Sequence, residues 1–168
     1  GRRPRRSDAR RVQPCTPVGE RANDLEMKLS DLLSIHESLE LAAERVDDLV
    51  PLVYERFFAL RPDARALFGN DALGRGRMFN ETLTMILECT QEVGYLEGIV
   101  EREVGDHRGY GATLSMYECY FEAVVQAMQA AVSESWTPSH EESWRRQLKH
   151  LMSIVARHAQ IADGPLNH

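Results

Sequence analysis

The stretch Val104-Gly105-Asp106-His107-Arg108-Gly109-Tyr110-Gly111-Ala112, followed by an apolar-periodic segment reaching Met128, decides how the chain is read. Its first residues close a short helical segment ending at His107. A Gly-Tyr-Gly corner then breaks that helix, since glycine adopts the left-handed conformations that stop one, and a new helix starts almost at once. Histidine is the commonest side-chain metal ligand. A histidine held before a fixed corner is therefore a candidate ligand. Taken alone, it reads equally as a surface histidine whose cation is favoured by the helix dipole.

On either side of this stretch apolar residues recur at helical spacing. Leu25, Leu29, Leu32 and Leu33 begin a pattern that Leu39, Ala42, Ala43, Val46, Leu49 and Val50 continue on a shifted face. Pro51 suits the first turn of a second helix, where its missing N–H costs nothing. That helix carries Tyr54, Phe57 and Phe58 toward Arg61, and Pro62 opens a tight turn ending at Leu67-Phe68-Gly69. Gly69, Asn70, Gly74 and Gly76 mark a loop. A third long helix carries Phe79, Leu83, Ile86, Leu87 and Thr90, with Met78 and Met85 beside the stripe. A break near Gly94 and Gly98 leads to the short helix of His107. Two long helices follow, from Leu114 to Val132 and, after Pro138, from Ser139 to Gln160. No strand pattern or internal repeat is present. The expected class is all-α, with at least six helices.

At 168 residues the chain is one domain, long enough to bury a core. Its net charge of −6 sets the globular part against nucleic-acid binding, and no apolar run approaches the ~20 residues of a membrane span. Cys15, Cys89 and Cys119 are odd in number and lack Cys-x-x-Cys spacing, which points to a reducing, cytoplasmic compartment, with Cys89 and Cys119 as buried thiols. Residues 1–22 carry Arg2, Arg3, Arg5, Arg6, Arg10 and Arg11, then Pro14 and Pro17, and read as a disordered arm. The arm suits an acidic partner or nucleic acid, or a plain linker from a longer polypeptide, as the missing initiator Met also suggests. Its arginines suit a transit peptide, but it lacks the apolar face. Residues 23–163 form the expected domain and 164–168 a tail.

Four positions then line up: Tyr54, Phe68 fourteen residues later, Phe79 on the third helix, and His107 twenty-eight residues beyond that. With Phe57-Phe58-Ala-Leu-Arg-Pro62-Asp-Ala-Arg-Ala-Leu67-Phe68 and His107-x-x-Tyr-Gly111, residues 33–160 resemble the globin family. The likeness is to bacterial single-domain haemoglobins, the haem domain of flavohaemoglobins and globin-type sensors.

The resemblance implies a three-on-three helical sandwich, here with an N-terminal extension, holding haem b through His107 as the proximal iron ligand. The other nitrogen of His107 would then donate to a backbone carbonyl of its own helix, which fixes the ring. Phe68 would wedge against the porphyrin face, and Phe79 would face the ligand and limit pocket volume. Tyr54 matches the distal tyrosine of bacterial globins and would donate to the outer oxygen of bound O2. The competing reading is a buried tyrosine satisfied by backbone. Arg75, four residues before Phe79, falls where many globins place histidine or glutamine. A guanidinium, always protonated, is a poor iron ligand and would swing out to a haem propionate, unless it is simply a loop-edge charge. Tyr117 matches a tyrosine beside the proximal histidine in flavohaemoglobins. Aligning Trp144 with the family's tryptophan puts Ala159 where that family's glutamate would complete the proximal network. His36, His140, His150 and His158 read as solvated.

Three activities share such a pocket. The first is reversible binding of O2, CO and NO at an iron that is five-coordinate when ferrous and unliganded. The second is a gas-sensor domain fused to an output domain, which the 23–33 helical stretch suits. The third is NO dioxygenation with a separate reductase, since no flavin or nicotinamide motif follows and half of the proximal network is missing. Leu148, Leu151, Ile154 and Val155 make the last two helices the expected face of a homodimer.

Overall fold

The computed structural model describes residues 18–88 and 93–162, and every regular element among them is a helix, with no strand. The helices are α1 (Val18–Ala43), α2 (Val50–Leu60), α3 (Arg65–Phe68), α4 (Ala72–Glu88), α5 (Val93–Gly109), α6 (Leu114–Val132) and α7 (Pro138–Ala162). Short 3₁₀ turns at Pro62–Ala64 and Ser133–Ser135 join α2 to α3 and α6 to α7.

Several boundaries follow from local chemistry as expected. Pro51 sits in the first turn of α2. Beyond Leu60, Arg61 clamps the Pro62 turn, its Nε and Nη2 donating to the two carboxylate oxygens of Asp63 at 2.9 and 2.6 Å. Gly69 closes α3 with a positive φ of 48°. Gly111, at φ 82°, lets the Ala112 N–H return 3.1 Å to the His107 carbonyl, ending α5. Thr113 then caps α6, accepting from the Met116 N–H.

Three boundaries differ from the sequence reading. α1 already covers Val18–Ala22, which had been assigned to the arm. α4 begins at Ala72, so Gly74 and Gly76 lie within a helix and not in a loop. The cause is Asp71, whose Oδ1 accepts from the Gly74 N–H at 2.8 Å and starts the helix early. A Cβ on Gly74 would lie 2.3 Å from Asp71 Oδ2, so glycine there makes room for the cap. α5 likewise runs through Gly94 and Gly98 for 17 residues. Glycine lowers helix propensity without forbidding a helix whose other face is packed, and Leu96, Val100 and Val104 supply that face.

The core is carried by α2 against α6, α1 against α7 and α6, and α5 and α6 against α7, while α4 rests on α2 and α7. Leu148, Leu151, Ile154 and Val155 are buried within this core and cannot form the expected homodimer face.

A polar seam joins α1 to α7. Buried Asp31 accepts from Ser143 Oγ (3.1 Å), Arg146 Nη1 (2.7 Å) and Gln147 Nε2 (3.1 Å). The indole of Trp144 donates to Ser38 Oγ at 2.9 Å. His140 is also part of the seam and not solvated: only 2 % of it is exposed. Thr137 and His140 cap α7 reciprocally, each backbone N–H donating 3.2 Å to the other's side chain. This is a capping box with imidazole in place of carboxylate. Nδ1 therefore accepts, and Nε2 donates to Glu37 at 3.3 Å. His36 and His150 are exposed and His158 is half-buried, near what the sequence implied. Cys119 is a free thiol, half-buried and not fully so; Cys15 and Cys89 lie outside the described residues.

Candidate functional site

Between α4, α5, α6 and the Pro62–Phe68 corner lies a cavity of about 900 Å³. Its wall comes from Phe57, Leu67 and Phe68, from Met78 of α4, from His107 of α5, and from Met116, Tyr117 and Tyr120 of α6. The mixture of apolar faces and a few convergent polar groups, at this size, is that of a small-molecule site.

His107 is half-buried on the wall. Its Nδ1 lies 2.7 Å from the carbonyl oxygen of Glu103, one turn earlier in α5. A carbonyl can only accept, so Nδ1 carries the proton and donates. In the neutral ring Nε2 is then the unprotonated nitrogen, the form a metal requires. The Tyr117 ring stands beside the imidazole, centroids 5.9 Å apart.

Three phenol oxygens, those of Tyr54, Tyr117 and Tyr120, are buried with no hydrogen-bond partner among the described residues. An orphaned buried hydroxyl costs about 1–3 kcal/mol; Tyr117 and Tyr120 lie on the cavity wall, and Tyr54 stands behind it beside Tyr120. Burial pushes Tyr117 and Tyr120 up to about 12, with the Glu103 charge adding to Tyr117. Burial raises Tyr54 further still, and the neighbouring Tyr120 phenol adds to it, while Arg75 pulls slightly the other way. All three stay protonated and able to donate at neutral pH.

The expected site residues fall into two groups. Phe68, His107 and Tyr117 share the cavity wall. Tyr54 lies behind it in an aromatic cluster, 5.2 Å from Phe68 and 5.9 Å from Tyr120 between ring centroids. Phe79 does not face the cavity: it is buried in the core, and Met78 takes the lining position. Arg75 does not swing outward either. Its guanidinium lies over the Tyr54 ring, 5.8 Å from the centroid, while Arg77 reaches the cavity rim. Arg75 and Arg77 point roughly 200° apart on α4, and Phe79 roughly 100° from its neighbour Met78, so the helix meets the cavity with Met78 and Arg77.

Tyr120 lines the cavity without a sequence motif to mark it, and Phe57, part of the Phe57–Phe68 motif, lines it too. Tyr120 follows Tyr117 by three residues on one helix, so the two share a face; that spacing was the available signal. Around the rim, Asp71, Glu81, Glu103 and Asp106 outnumber Arg77. Asp71 is engaged as a cap and Glu81 lies 4.0 Å from Arg77. This acidic rim is the feature that suits an anionic ligand least. Among the described residues no cluster of three or more His, Cys, Asp or Glu side chains could hold a metal ion, so His107 would have to act as a single protein ligand. No helix among them is long and apolar enough to cross a membrane.

No protein-family model matches the chain, and no curated protein matches it.

Proposed function

We propose that the chain is a globin-type haem b protein that binds O2, CO and NO reversibly, with the helices arranged as a three-on-three sandwich around the cavity. The observation that carries this reading is the hydrogen bond of His107. Its Nδ1 is committed to the Glu103 carbonyl, which leaves Nε2 for a metal, and the ring lines a large cavity walled by Phe68, Met78, Tyr117 and Tyr120. A lone histidine suffices when the cofactor brings its own ligands to the metal.

When bound, the haem supplies the iron chemistry; the chain supplies orientation, polarity and access. His107 holds the metal, and Tyr117 packs against the imidazole. Phe57 and Phe68 cover an apolar face. Arg77 is the cation available to a propionate at the rim. Tyr54 and Tyr120 present protonated phenols, which favour a ligand with partial negative charge over a neutral one. No Cys-x-x-Cys-His motif exists, so attachment is non-covalent.

A gas-sensor domain is the second reading, favoured by the extension of α1, whose residues 22–30 are exposed or half-buried. NO dioxygenation with a separate reductase uses the same pocket and gains no support of its own.

The test is reconstitution of the purified chain with haemin. Stoichiometric uptake with a histidine-ligated spectrum is expected, and His107→Ala should abolish or badly weaken it. Equal uptake and an unchanged ferrous spectrum in that variant would remove the assignment.

A further inference from the structure

The backbone carbonyl of Glu103 holds His107, and the side chain of the same residue approaches the same nitrogen. Glu103 Oε2 lies 4.0 Å from His107 Nδ1, one turn apart on α5. Glutamate on the N-terminal side of its partner is the better order for such a pair on a helix. The two side chains are only 28 % (His107) and 23 % (Glu103) exposed, so solvent screens them less than a surface pair. On its other side the carboxylate meets Arg102, whose Nε lies 3.7 Å from Oε1. Arg102 is itself 68 % exposed, and a solvated pair of that kind contributes little. The third neighbour is Tyr117. Its phenol is raised first by burial and then by the Glu103 charge, and its oxygen has no partner among the described residues. Glu103, His107 and Tyr117 all line the large cavity and also an adjoining void of about 30 Å³.

The Nδ1 proton therefore has a neutral acceptor at 2.7 Å and an anionic one close behind it. Bringing the carboxylate into hydrogen-bond range asks for a shift of about 1 Å, within the broad terminal torsion of a glutamate. A metal on Nε2 draws electron density from the ring and makes the Nδ1 proton more positive. A charged acceptor gains more from that change than a carbonyl does.

We infer that Glu103 is a positioning residue for His107: its carboxylate shares the Nδ1 proton with its own backbone carbonyl and so tilts a bound haem toward the ferric state. This rests on the reading of His107 as the iron ligand. The direction follows from charge. An outer carboxylate makes a metal-bound imidazole more basic, and the more positive iron gains more from a basic ligand. The same contact restrains rotation of the ring, so the residue acts on both the aim and the electron release of His107.

The test compares the full chain with its Glu103→Gln variant, both loaded with haem. Glutamine keeps the size of the side chain and the backbone carbonyl, so helical content should persist. The iron–histidine stretching band of the unliganded ferrous form should move to lower frequency in the variant, and the reduction potential should rise. Ferric haem should be held about tenfold less tightly, the usual cost of losing an outer partner of a metal-bound histidine. Glu101→Gln removes the same charge from an exposed position on α5 and should leave the band in place. An unmoved band in Glu103→Gln, with uptake still dependent on His107, overturns this inference and leaves the haem reading standing. Equal movement in both variants also overturns it, because the overall charge of α5 would then be the cause. Failure of uptake, or uptake indifferent to His107→Ala, removes the haem reading and this inference together.

Discussion

At the scale of single residues, the buried phenols set the character of the cavity. Tyr120→Phe keeps the ring and removes a donor on the cavity wall, so O2 release from the haem-loaded protein should rise about ten- to a hundredfold, whereas Tyr54→Phe acts from behind that wall and should change it less. CO release should change far less, because bound CO carries little charge on its outer atom; stopped-flow measurement of both gases checks this. Neither Arg75 over Tyr54 nor buried Phe79 can supply a sixth ligand, so the unliganded ferrous spectrum should be five-coordinate. A low-spin, bis-histidine spectrum would refute that. Tyr120 offers a test independent of cofactor. Its folded-state pKa of about 12 exceeds the ordinary value of about 10, so the stability it contributes is whole below about pH 10 and is lost as pH climbs toward 12. Urea unfolding across that range should show a loss to which Tyr120 contributes about 2–3 kcal/mol, so Tyr120→Phe should reduce it by that amount and leave the share of Tyr117 and Tyr54. Much of this site was legible in the sequence. His107, Phe68 and Tyr117 share the cavity because corner chemistry and helical spacing place them, and both can be read along the chain. The facing of Arg75 and Phe79 depends on how α4 is rotated against α2 and α7, which spacing along the chain does not fix.

Among the elements, helix existence was readable and helix ends less so. Leu114–Val132 is bounded by Gly111 with Thr113 before it and by a 3₁₀ turn after it, and its expected limits agree with the structure. α4 and α5 extend through glycines that looked like loop, because packing on the opposite face outweighs propensity. The difference between two of those glycines is measurable. Gly98→Ala meets no atom within 4 Å and should stabilise the fold by roughly 0.5–1 kcal/mol in chemical denaturation. Gly74→Ala must displace the Asp71 carboxylate and should cost about 1 kcal/mol, the worth of a cap. His140 escaped the sequence reading for a related reason. Thr137-Pro-Ser-His140 resembles a capping box only if imidazole is allowed as the returning acceptor, and the charged neighbours suggested solvent instead. Thr137→Ala should lower stability by about 1 kcal/mol, and by more if Glu37 is left without its donor.

For the whole molecule, a cavity of about 900 Å³ should make thermal stability depend on its contents. Haemin at a hundred times its dissociation constant should add about 2.7 kcal/mol, read as a rise in melting temperature that His107→Ala removes. The supports of that cavity are unequal: α6 packs on α1, α2 and α7, whereas α4 rests mainly on α2 and α7, and α5 mainly on α7. Local opening runs along whichever elements share the fewest buried contacts. Amide hydrogen exchange should therefore protect α6 most deeply, while α4 and α5 trade their protons through excursions that leave α6 and α7 intact. A molecule built this way has two clocks: the faster governs how a large flat cofactor enters or escapes, and the slower governs unfolding. Substitutions that tighten α4 against α2 would slow the first and leave the second almost unmoved.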